Sequence, residues 1–188
     1  MCMYEYILWY AYNICSLKPV RSINLQSSSD MEAKVLAMLQ RHNVSYELIQ
    51  IDPNYADTAE FCEHYGYPTS HSGNTIIVAS KRGTKQYSAC IVQATERLDV
   101  NKTVKKLMNV SRASFASSEE TIQLTGMMIG GVTPYALPDS LPVYADFKLN
   151  SVEYLIIGSG SRSSKLKIHP SELNKIPNLQ FIDGLSLP

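Results

Sequence analysis

The chain has 188 residues, 45% of them hydrophobic and 18% charged, a balance that excludes a disordered chain and suits one globular domain with an extension. Seventeen basic residues meet seventeen acidic ones, so no general basic field holds nucleic acid, and any such contact has to be local or supplied by a partner. Cys2, Cys15, Cys62 and Cys90 form no C-x-x-C pair, and His42, His64, His71 and His169 are equally dispersed. No zinc-ligand spacing results, and free thiols in a reducing, cytoplasmic compartment are expected. Cys62 and His64, two residues apart on a helix, point to different faces and make no nucleophile pair.

The opening MCMYEYILWYAYNIC is aromatic and apolar, but it is short and carries Glu5. It lacks the basic start and small-residue cleavage site of a signal peptide, and it is too short for a membrane span. KPVRSINLQSSSD then reads as a polar linker. Residues 1–29 are therefore expected to be an extension, poorly ordered or serving as an interaction segment, with the domain over 30–188. Asp30 is expected to cap a helix over MEAKVLAMLQRHN, with Val35, Leu36 and Leu39 at core spacing and Glu32 and Lys34 toward water.

VSYELIQID alternates and predicts a strand. ADTAEFCEHYGY predicts a helix with Asp57 or Thr58 near its N-cap and Gly66 ending it. Glu63, like Asp57, is assigned to that helix's surface and capping. NTIIVAS and YSACIVQAT predict paired strands joined by a turn around Gly83. DVNKTVKKLMNV is expected as a capped helix with Val104, Leu107 and Met108 inward, and SRASFAS as extended chain. SSEETIQLTG is expected as a helix opened by Ser117 or Ser118. MMIGGVTPYALP reads as a glycine–proline loop, LPVYADFKL, EYLIIGSG and KLKIHP as strands, and HPSELNKI as a last helix with Pro170 in its first turn. Helices alternate with strands, several of which arrive as hairpins, so the fold class is α/β with a mixed sheet.

Three segments in this order carry a resemblance: Ala56 to Tyr67, Asn74 to Asp99 with its Arg-Leu-Asp ending, and Thr125 to Asp146 with the Gly130-to-Pro134 loop. Together they resemble the YbaK/prolyl-tRNA-editing (ProX) family of aminoacyl-tRNA deacylases, across essentially the whole domain from Met31. The resemblance implies a barrel-like mixed sheet packed with helices. It also implies hydrolysis of the ester of a mischarged tRNA by a free-standing protein or one beside a synthetase, without metal or organic cofactor and without a membrane.

Ester hydrolysis needs a positioned water, donors for the developing oxyanion and a grip on the amino acid and terminal ribose. The backbone amides of Gly130 and Gly131 are the expected oxyanion donors, with Thr133 and Pro134 shaping the loop. Family members carry a lysine where this chain has Asn74, immediately before Thr75. An amide donates and accepts hydrogen bonds but carries no charge. Asn74 and Thr75 are expected to line the pocket, and a binding module that kept the fold and lost the reaction is the rival reading. Lys81, seven residues along the strand, lies over ~20 Å from Asn74 if the strand is straight and is a poor substitute cation. Gly158 to Ile168 offers a glycine–serine loop in which Ser161, Arg162 and Lys165 are expected near phosphate or ribose. Lys102, Lys105 and Lys106 form a small basic helix face, and Asp146 either orders the pocket from behind or caps a turn. Met127, Met128, Ile129 and Tyr135 are the residues expected to set pocket size.

Overall fold

The computed structural model describes residues 25–187, so most of the expected extension lies outside the described residues. Helix α1, Leu25–Arg41, opens five residues before Asp30, which stands exposed inside it and caps nothing. Serines are only mediocre helix formers, but extending an established helix costs little. Val35 and Leu39, one turn apart, are fully buried as expected. Glu32 does not face water: it accepts a hydrogen bond from the Ser164 hydroxyl.

Among the described residues, ten strands form three sheets. The central one runs β5 (Ala113–Phe115), β2 (Gly73–Ser80), β3 (Tyr87–Gln93), β6 (Val143–Asp146), β9 (Leu179–Ile182). Its β5–β2–β3 part is antiparallel and its β3–β6–β9 part parallel, which makes it the mixed sheet expected. A second, antiparallel sheet runs β1 (Tyr46–Gln50), β8 (Ser164–Ile168), β7 (Leu155–Gly158). β4 (Arg97–Leu98) and β10 (Ser186–Leu187) pair alone. A bridge between Ser72 and Ile156 ties the start of β2 to β7. α1 packs on the joined sheets through a core that includes Val35, Leu39, Ile91, Leu155, Leu166 and Leu173.

Helix α2, Thr58–Tyr65, ends at Gly66 in the left-handed conformation, and helix α4, Ser118–Thr125, is opened by a Ser117–Glu120 capping box. Three expectations change. LPVYADFKL is strand only to Asp146, whose side chain accepts from the Lys148 N–H and turns the chain into a 3-10 helix over Phe147–Ser151. DVNKTVKKLMNV forms a π-helical turn, Val100–Val104, capped by Asp99, and only then the short α3, Lys105–Leu107. HPSELNKI is a 3-10 helix, Pro170–Lys175, capped by His169, and its two turns fill the connection between β8 and β9. β9 itself had no counterpart in the sequence reading.

Truncating Leu39 to Ala removes a fully buried side chain at the helix–sheet contact. The expected cost is about 2–5 kcal/mol, read from the urea midpoint at unchanged slope.

Candidate functional site

Where the two larger sheets part, they enclose a cavity of about 320 Å³. Its walls are the first half of β2, the end of β7, the start of α2, the 129–132 loop and the Phe115–Ala116 stretch with Thr121 of α4. Ile76, Ile77, Val132, Ile156 and Ile157 supply apolar surface, while Asn74, Thr75, Thr121, Gly130 and Lys165 supply polar groups.

Asn74 is fixed by its neighbour across the cavity rim: its Oδ1 accepts from the Thr58 hydroxyl at 2.7 Å. Its Nδ2 hydrogens bond to no described residue and remain available as donors. Thr75 follows on the strand, and its buried Oγ1 has no partner among the described residues.

The glycine loop is held from outside the cavity. Gly130 takes φ +87°, and a Cβ there would sit 2.2 Å from Arg162 Nη1 and 2.7 Å from Asp57 Oδ1. The Gly131 N–H donates to Met128 O at 2.9 Å, and its carbonyl accepts from the Gly160 N–H at 2.8 Å. Gly131 is thus spent on the loop, does not line the cavity and has no free amide to offer, contrary to its expected role. The Gly130 N–H bonds to no described residue, and Gly130 does line the cavity.

Lys165, at the start of β8, reaches the cavity from the opposite wall. Its buried ammonium donates to Ala56 O at 2.6 Å and Gly130 O at 2.8 Å, and it lies 5.7 Å from the centre of the Phe61 ring. An ammonium has three donors, so two are committed and one is left. Burial is the main cause that pushes its pKa down to about 8; Arg162 pushes the same way, while Asp57 and Cys62 pull it up.

Arg162 stands behind this wall. Its guanidinium pairs with Asp57 at 3.0 Å and donates to Ile129 O at 2.7 Å and Pro53 O at 3.1 Å. Asp57 is exposed and occupies the N-cap position of α2 as expected, but makes no capping bond; its carboxylate is directed to Arg162, which corrects the capping half of the expectation. Ser161 Oγ accepts from the Ser163 N–H and shapes the turn rather than the cavity wall.

Of the residues expected in the site, Asn74, Thr75, Gly130 and Lys165 line one cavity, with Arg162 directly behind it. Thr133 and Pro134 are buried beyond the loop, and Asp146 caps its turn at the end of β6. Of the four size-setting candidates only Ile129 lines the cavity; Met127 and Tyr135 are core, the latter donating to Glu172 O. Thr58, Phe61 and Thr121 were missed, and no short motif marks them. Cys62 and His64 diverge as expected: Cys62 Sγ meets Ser72 Oγ at 3.3 Å, and His64 stacks on Tyr55. Among the described residues no cluster of His, Cys, Asp and Glu is arranged to hold a metal, and no helix is long and apolar enough to cross a membrane.

The model of the aminoacyl-tRNA editing domain family matches residues 52–176, and the chain belongs to that family. Among curated proteins it is 26% identical over 133 residues to the "Uncharacterized protein YwhH" of Bacillus subtilis, covering 71% of this chain and 82% of that one. It is 18% identical over 161 residues to "Putative Cys-tRNA(Pro)/Cys-tRNA(Cys) deacylase EbsC" of Enterococcus faecalis, covering 84% and 96%. Two solved structures share the fold. The "hypothetical protein APE2540" superposes with a TM-score of 0.72 at 26% identity over 82% of this chain and 99% of its own. The "putative trans-editing enzyme for prolyl tRNA synthetase" gives 0.71 at 21%, over 84% and 98%.

The Lys165 environment has a consequence for stability. The lysine binds its proton less tightly when folded, with a pKa of about 8 against the ordinary 10.5. Between these values the unfolded chain holds the extra proton, so stability rises with pH across that window and is flat below it. Urea unfolding of the wild type relative to Lys165→Met, at pH values from 7 to 10.5, should show this rise. A flat difference would mean that Lys165 titrates alike in both states.

Proposed function

We propose that this chain is an aminoacyl-tRNA deacylase that hydrolyses the ester of a mischarged tRNA, with the esterified amino acid held in the β2–β7 cavity. The observation that carries this reading is the convergence on Gly130, inside an editing-domain fold, of an unbonded backbone N–H and a buried lysine ammonium. The names of EbsC and of the prolyl-tRNA trans-editing neighbour agree with it.

Water adds to the ester carbonyl carbon, forming a new C–O bond and a tetrahedral oxyanion. The Gly130 N–H and the remaining Lys165 donor stabilise that charge, fixed donors that need no reorganisation as it develops. The ester C–O bond then breaks, the ribose oxygen takes the proton released by the water, and free amino acid and tRNA leave. Asn74, oriented by Thr58, donates from Nδ2 to the ester or the terminal ribose. Thr75 Oγ1 gains in the complex the partner it lacks without one.

The rival reading, a binding module without the reaction, draws on the uncharged Asn74. Deacylation of a panel of mischarged tRNAs separates the two. The wild type should release one or a few amino acids, and Asn74→Ala should abolish release at an almost unchanged melting temperature. Lys165→Met should lower kcat about a hundredfold or more, the scale of losing one oxyanion donor. Wild-type activity should fall as pH rises through about 8, when the ammonium is lost. The substrate's own amino group titrates near ~7.7–8.0 as well; only the limb absent from Lys165→Met belongs to the enzyme. A folded wild type that deacylates nothing would favour the binding module.

A further inference from the structure

A second cleft, of about 580 Å³, opens where β2 ends. Lys81 and Arg82 enter it from the β2–β3 turn, Lys105 from α3 and Arg112 from the residue before β5. No carboxylate of the described residues lines it, and none of the four cations is ion-paired with a described residue. The contrast with Lys85 on the same hairpin is plain, since that side chain is neutralised by Glu120 at 2.5 Å. In a chain of no net charge, four unpaired cations gathered from three segments make a local positive site.

The cleft is joined to the cavity by β5. The Lys81 N–H donates to Arg112 O at 2.9 Å and prolongs the β2–β5 pairing into the cleft. From there Ala113 and Ser114 line the cleft, while Phe115 and Ala116 line the cavity. Arg112 and Phe115 are three residues apart, about 10 Å along a strand. Phe115 is 57% exposed at the rim, and Ile129, 52% exposed, flanks it. A basic groove that tracks a backbone, next to an aromatic face on which a base stacks, is how proteins hold single-stranded nucleic acid.

We propose that the Lys81–Arg82–Lys105–Arg112 cleft binds the backbone phosphates of the single-stranded 3′ end of tRNA and leads the esterified terminus past Phe115 into the cavity. This rests on the deacylase reading for what the cavity does, but not for whether the cleft binds. Phosphate contacts position a substrate without reading its sequence, so this surface serves any tRNA whose amino acid the cavity accepts.

The test uses the full chain and three variants, Lys81→Gln/Arg82→Gln, Arg112→Gln and Phe115→Ala, with melting temperatures recorded. Binding of uncharged tRNA is measured between about 50 and 200 mM salt. Each cation removed should lower the slope of log K against log salt by about one, and Phe115→Ala should weaken binding about fivefold or more without changing the slope. On aminoacyl-tRNA the charge variants should raise KM about tenfold at unchanged kcat, while hydrolysis of aminoacyl-adenosine stays at the wild-type rate. Unchanged tRNA affinity and slope in the charge variants, or equal loss on both substrates, would overturn the proposal, as would equal wild-type affinity for a blunt DNA duplex. A wild type that cleaves aminoacyl-adenosine but does not bind tRNA keeps the catalytic reading and removes the cleft. One that binds tRNA through the cleft and cleaves neither ester does the reverse.

Discussion

The cavity depends on two loops lying backbone against backbone. The 129–132 loop and the β7–β8 loop approach so closely that a Cβ on Gly131 would lie 2.6 Å from Ser161 O, and one on Gly158 2.2 Å from Val132 O. No side chain fits at either place, and the contact is sealed by the Gly160 N–H on Gly131 O. This apposition fixes where β8 begins, and so how Lys165 meets Gly130 O from one side while Arg162 meets Ile129 O from the other. The glycines that look like flexible loop residues are the rigid part of the site.

The two cations so placed have different duties. Arg162 is partly exposed, and its planar guanidinium is satisfied by a carboxylate and two carbonyls, the geometry to which such a fork is suited. It ties the start of α2 to the glycine loop and is neutralised where it stands. Lys165 is buried and its ammonium is met by two carbonyls and the face of the Phe61 ring, while the nearby Asp57 carboxylate is already engaged by Arg162. An ammonium left in that condition is poorly stabilised by the folded protein alone, which is why its pKa falls to about 8. The group gains most from a negative charge arriving in the cavity.

The sequence was legible where local chemistry decides structure. The Ser117–Glu120 capping box, Gly66 as helix stop and the β2–β3 hairpin are written in residues a few positions apart. The Gly130 loop was legible only in context, since glycine pairs occur in ordinary turns. What could not be read were contacts between distant segments. Nothing near Lys165 announces that its amine crosses to Gly130, nor does anything near Asp57 announce that its partner stands 105 residues later. Gly131 shows the same limit in reverse: its residue type was right for a donor loop, but a hydrogen bond to Met128 O had already claimed its amide.

An asparagine at the opening of β2 need not leave the cavity without a cation, because the two walls are independent sources of charge. Position 74 is confined by Thr58 and presents a neutral donor, so the β2 wall orients without attracting. The positive charge instead comes from Lys165 on β8, whose ammonium donates to the carbonyl of Gly130, a residue whose own amide bonds to no described residue. On the deacylase proposal, an oxyanion formed beside Gly130 would be drawn to that charge, while the amino acid's own ammonium would be favoured nearer the neutral Asn74. A lysine on β2 would put like charge on that side. On that proposal an asparagine at one wall is physically consistent with a buried lysine at the other, and the polarity of the cavity would favour the ester end of the substrate facing Gly130.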